Sequence, residues 1–169
     1  MTKLIGAFLL TALACHAQLA NKKSLTLEAA KQIAAAAEAE ARKNNWTMVI
    51  CVVDDGGHVL FLERMDGTQL GSIQVAQEKA STAVNFKRPT KALEDAVTGG
   101  RNVVLRLPGL PVEGGIPIML GTELIGGVGV SGGTSPQDAQ VATAGLKAVE
   151  KMKSPAIARL PDASWLVTL

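Results

Sequence analysis

The chain has 169 residues, a formal charge of +2, 47% hydrophobic residues and only 3% aromatic ones, with no tyrosine. That length fits one domain with a real core. There is no basic stripe and no aromatic platform, so nothing supports nucleic-acid binding.

The N-terminus has the order of an export signal. Lys3 gives a short positive region, and Leu4 to Ala14 is an uncharged apolar run. Small residues follow at Ala12, Ala14, Cys15 and Ala17. Residues 1–17 are therefore expected to be a signal peptide, cleaved after Ala17, with Ala14 and Ala20 as alternative cut sites. The run is roughly half the ~20 residues that span a bilayer, so no transmembrane segment is expected. Cys15 offers a lipid anchor instead, although the leucine of Ala12-Leu13-Ala14 stands one position away from where a lipobox wants it. The expected mature domain is residues 18–169, placed in the periplasm or secreted. Only Cys51 then remains, inside Met48-Val49-Ile50-Cys51-Val52-Val53, where it reads as a small buried hydrophobe.

Ser24 to Asn45 reads as a helix, capped by Ser24 or Thr26, with Glu28 favourable to its dipole and Asn44-Asn45 ending it. Thr47 to Val53 is an apolar, β-branched central strand. Asp54-Asp55-Gly56-Gly57 is turn chemistry, and His58 to Met65 is the return strand. Ser72 can cap a helix over 73–86, which Arg88-Pro89 stops; Thr90 can cap a short helix to Val97. Residues 99–115 form a long Gly- and Pro-rich loop, in which Val103-Val104-Leu105 could add a strand. Strands over 116–120 and 124–131 meet at Gly121-Thr122-Glu123. Gly126, Gly127 and Gly129 leave room for something to approach the second strand. Ser135-Pro136 starts a helix that runs to Met152. The tail 154–169 is apolar enough to pack on the domain or on a neighbouring subunit. The order helix, hairpin, helices, hairpin, helix argues an α/β fold with a central antiparallel sheet and helices on its faces.

Few residues can carry chemistry. There is no phosphate-binding Gly-Lys-Ser/Thr loop and no His-Glu-x-x-His pair. His58 is the one histidine beyond the leader, so a multi-histidine metal site within one subunit is excluded. A neutral imidazole at that turn is either simply exposed or an axial ligand for haem iron. Arg64 ends the return strand. Lys79 lies near the apolar side of its helix, where it either snorkels or faces a pocket. Two such cations beside glycine-rich backbone could clamp carboxylates, haem propionates included, with Arg88 and Arg101 nearby. Met65 is a thioether ligand or a core residue.

These residues fall into blocks: 52–58 (Val-Val-Asp-Asp-Gly-Gly-His), 63–67 (Glu-Arg-Met-Asp-Gly), 71–73 (Gly-Ser-Ile) and 79–83 (Lys-Ala-x-Thr-Ala). Arg-Pro-Thr at 88–90, Gly-Gly-Ile-Pro-Ile at 114–118 and Gly-Gly-Val-Gly-Val-Ser-Gly-Gly-Thr at 126–134 complete them. In this order the chain resembles the GlcG/HbpS-type family, which also includes the C-terminal domain of PduO-type proteins. The match spans most of 24–152. The resemblance implies a profilin-like α/β/α sandwich with a central antiparallel sheet, assembled into homo-oligomers, often octamers. It implies haem as cofactor, with haem degradation or iron handling in some members. His58, Arg64, Met65, Lys79, Arg88, Gly114 and Gly115 fall in the matching blocks and become the expected haem-site residues, His58 as the metal ligand. The loop 99–113 fits the pattern less well. The leading expectation is an exported haem-binding protein that sequesters or senses haem or handles iron. The alternative is an enzyme or accessory protein in a catabolic pathway, with Arg64 and Lys79 holding a small organic acid.

Overall fold

The computed structural model describes residues 21–152; the expected signal peptide and the tail 154–169 lie outside the described residues. Helix α1, Leu27–Lys43, starts where the Thr26 hydroxyl accepts the Ala29 N–H at 3.1 Å. It ends at Asn44, and Asn45 turns left-handed with φ 57°. Its apolar face is mostly alanine, which lets it lie close on its neighbours. Strands β1 (Val49–Asp54) and β2 (Val59–Arg64) form the first hairpin. Helices α2 (Gly71–Phe86) and α3 (Lys91–Thr98) follow. Strands β3 (Gly115–Leu120) and β4 (Glu123–Ser131) form the second hairpin, and α4 is Ser135–Lys151. The Gln137 side chain accepts the Thr134 N–H at 2.9 Å, half of a capping box, with Pro136 in the first turn.

The four strands make one antiparallel sheet in the order β2-β1-β4-β3. Period-two alternation in β1 divides the core. Met48, Ile50 and Val52 pack with Ile33, Ala37 and Val141 of α1 and α4. Val49, Cys51 and Val53 face the other way, onto Ala76, Ala80 and Val84 of α2. The expected α/β/α sandwich is therefore the observed fold. No described helix is long and apolar enough to cross a membrane. Cys51 is buried as expected, and burial pushes its thiol up to about 12.

Three local expectations need correcting. Val103–Leu105 is not a strand: residues Asn102–Arg106 form a 3₁₀ helix. Gly100, at φ 89°, turns the chain back so that the Arg101 N–H reaches Ala96 O at 2.8 Å, and the segment closes on α3 instead of reaching the sheet. Ser72 is not a cap but a buried residue inside α2, whose hydroxyl accepts from Ser131 Oγ at 3.1 Å. Thr90 likewise makes no cap hydrogen bond; its Oγ1 accepts the Gly115 N–H at 3.0 Å and pins the start of β3.

Glu63 is the residue of β2 most out of place. It pairs with Ile50 in register, so it faces the α1 layer, and its Oε1 is buried without a hydrogen-bond partner. Burial raises its carboxyl above the usual value, the nearby Glu38 adds to this, and Arg42 opposes it. A carboxyl whose folded pKa is raised contributes stability that is full below its unfolded value and is lost as pH rises through the folded one. The wild type is thus expected to lose ground to Glu63→Gln in urea midpoint as pH climbs from ~4 to ~7. A gap that does not change with pH would remove Glu63 as the cause.

Candidate functional site at one end of the sheet

The β1–β2 turn is built around one carboxylate. Asp54 Oδ1 accepts the N–H of Gly56 and of His58, each at 2.8 Å. The Asp54 N–H donates to His58 O at 2.8 Å, and the Gly57 N–H to Asp54 O at 3.1 Å. Gly57 takes φ 84°, a conformation open to glycine, and lies against Ser81 of α2. Beside the turn the register slips: Val52 pairs with Phe61 but Val53 with Val59, so Leu60 is an extra residue in β2. Such bulges re-aim the side chains next to them. The outcome is an imidazole 84% exposed, its Nδ1 3.4 Å from Asp54 Oδ1.

Cations gather at the same end. Lys87 closes α2 in the left-handed region (φ 50°, ψ 40°), and the exposed Arg88 donates through Nε to Phe86 O at 3.2 Å. Lys22 pairs with Asp55. An open cleft of about 520 Å³ runs between the two hairpin turns, bordered by Lys22, Lys23, Asp55, Lys87, Glu123 and Leu124.

Lys79 is elsewhere. It is 1% exposed, and its ammonium donates to Asp138 Oδ2 at 2.6 Å and to Val130 O at 3.1 Å. Asp138 also accepts the Gly133 N–H at 3.0 Å. Burial pushes the Asp138 carboxyl up, against the pull of Lys79 and the Gly133 and Gly132 amides. Lys79 thus neither snorkels nor faces a cleft; it ties α2 to α4 past the end of β4. Arg64 is exposed and donates to Thr68 O at 3.3 Å, so the two cations of the expected clamp do not share a site. Met65 is 9% exposed and belongs to the α1/α4 core. Gly114 and Gly115 are buried around the Lys79 pair: a Cβ on Gly114 would stand 2.9 Å from Lys79 Nζ, and one on Gly115 2.2 Å from Lys79 O. The glycines of β4 are likewise filled from inside the fold, by Ala76 and Ala80 of α2 and by Leu25. Of the expected site residues, His58 lies on the hairpin turn and Arg88 follows Lys87 at the end of α2; neither borders the cleft.

Sequence reasoning missed two features. Asp138 lies 59 residues from Lys79, and the available signal was the demand of a lysine on an apolar helix face for a buried acid. Residues 129–133 also spell Gly-x-Ser-x-Gly. Ser131, however, is 5% exposed and bonded to Ser72, at the opposite end of β4 from the strand pairing with Asp54, so no histidine among the described residues serves it. No group of three or more His, Cys, Asp or Glu among the described residues is arranged to hold a metal ion.

An antiparallel α/β/α domain with an exposed histidine on its first hairpin turn is the class this geometry defines. The family model described as haem degrading protein HbpS-like matches residues 25–147, and the chain belongs to that family. It is 44% identical to protein GlcG of Escherichia coli over 112 residues, 66% of this chain and 84% of GlcG. The solved structure of a double mutant of HbpS from Streptomyces reticuli superposes with a TM-score of 0.71 at 32% identity, covering 80% of this chain and 96% of that one. A PduOC:haem complex superposes at 0.68 and 31% identity, covering 74% and 94%.

Proposed function

We propose that this chain is an exported haem-binding protein that sequesters haem, senses it or handles its iron. The observation that carries the reading is the exposed His58 imidazole, held on a hydrogen-bonded turn in a family with a member solved as a haem complex. The donor set at this end of the sheet fits the group chemically. His58 would supply an axial nitrogen, and Lys87 and Arg88 would neutralise propionate carboxylates. Bound haem would bring an iron centre able to bind or activate small molecules. Met65, Gly114 and Gly115 would act through packing. Export is supported by the order of charge, apolar run and small residues in 1–17. Family resemblance supports assembly of several copies.

Haemin titrated into the purified protein is expected to give a saturable, shifted Soret band in the micromolar range. His58→Ala should weaken binding at least ~10-fold, about 1.4 kcal/mol. An unaltered haemin spectrum would end the haem reading, and an unchanged band in His58→Ala would end the ligand assignment. Expression in a bacterial host should yield extracytoplasmic protein lacking residues 1–17 by mass; intact cytoplasmic chain would refute export.

A further inference from the structure

We propose that Asp54 is a positioning residue for His58: it holds the imidazole proton on Nδ1 and turns Nε2 outward as the atom offered to iron. The inference rests on the haem reading for its purpose, but its geometry belongs to the protein alone. Three observations on five consecutive residues carry it.

First, the carboxylate is already fixed. Oδ1 of Asp54 is held by two backbone N–H groups at 2.8 Å, so it cannot swing away from the ring without opening the turn. Second, the ring folds back toward this same oxygen, with Nδ1 at 3.4 Å. That separation is longer than a formed hydrogen bond, and the proposed role requires the ring to close it. Third, Gly56 makes the approach possible. A Cβ there would stand 2.9 Å from His58 Nδ1 and 3.2 Å from Asp54 Oδ1, wedged between donor and acceptor. Gly56 has an ordinary backbone conformation, so the turn itself does not require glycine at that position.

The chemistry follows. A neutral imidazole carries one proton, and a carboxylate facing Nδ1 draws it there, leaving the Nε2 lone pair free. Carboxylate contact at the far nitrogen also makes the ligating nitrogen a stronger donor, as in many metal-bound histidines. The ring is 84% exposed, so Nε2 is accessible from solvent.

The test uses nitrogen NMR of the His58 ring in haem-free protein, in mildly alkaline buffer. The wild type is expected to show Nδ1–H as the major tautomer. Asp54→Asn keeps an oxygen acceptor for the turn but removes the charge, and should shift the population toward Nε2–H. Gly56→Ala should do the same by displacing the ring while leaving the carboxylate in place. A wild type dominated by Nε2–H, or variants with unaltered tautomer ratios, would overturn the proposal. In haem-loaded protein, both variants should raise the iron reduction potential, because a less basic axial ligand favours ferrous iron; an unchanged potential would overturn the outward-Nε2 role. Absence of haemin binding would defeat the haem reading while leaving the tautomer result standing, so the two failures are separable.

Discussion

Asp138→Ala is expected to remove ~3–5 kcal/mol of folding stability, the loss typical when one partner of a buried ion pair is deleted. The cause is the charge left behind. Lys79 is 1% exposed, and without Asp138 its ammonium keeps the bond to Val130 O but loses its counter-charge. The Gly133 N–H loses its acceptor in the same step. A domain of this kind has about 5–15 kcal/mol in total, so the variant should unfold at a much lower urea midpoint. Lys79→Met should behave similarly, because it strands the carboxylate instead. The double variant Lys79→Met/Asp138→Leu should recover most of the loss, since apolar side chains of similar volume often replace a buried pair at little cost. Equilibrium urea unfolding of the three proteins decides the matter. A single-variant loss under ~1 kcal/mol would mean that the pair is solvated.

Gly129→Ala is expected to be comparably severe, for a different reason. The added Cβ would stand 2.1 Å from Ala76 O and 2.5 Å from Ala80 N. Both are backbone atoms of α2, so relief requires lifting the helix from β4 and loosening Ala76, Ala80 and Val84 from Val49, Cys51 and Val53. Overpacking against backbone belongs at or beyond the upper end of its usual range, about 3 kcal/mol. Gly71→Ala is the control: nothing lies within 4 Å of its Cβ position, and its effect should stay within ~0.5 kcal/mol. Thermal unfolding of both variants checks the contrast; equal midpoints would show that α2 can shift freely.

The architecture was legible because its signals are local. The alanine run, the Thr26 cap and the Asn44-Asn45 stop define α1, and the apolar run ending in Asp-Asp-Gly-Gly defines β1 and its turn. Signals failed where a side chain had two uses. Ser72 and Thr90 have the chemistry of caps, but tertiary partners, Ser131 and Gly115, claim their hydroxyls. Val103–Leu105 has strand composition, yet the turn at Gly100 commits the chain to α3 first. The site divides in the same way. The His58 turn was visible because imidazole, glycines and carboxylate are neighbours in sequence. Lys79 was misplaced because its partner is distant and a helix pattern cannot name it. The glycines were correctly read as points of close approach; what approaches is the protein's own helix and lysine, not a ligand.

The turn from Asp54 to His58 carries one more consequence. His58, Asp54 and Gly56 lie within five successive positions, and Asp54 Oδ1 accepts two N–H groups from inside the turn. Such a unit is modular. It can be acquired, lost or exchanged through one short change in the gene without re-pairing the sheet. On the proposed reading, a protein of the same fold lacking these five residues would not ligate iron at this corner. A sequence window of five residues, not overall similarity, is the feature by which to sort them.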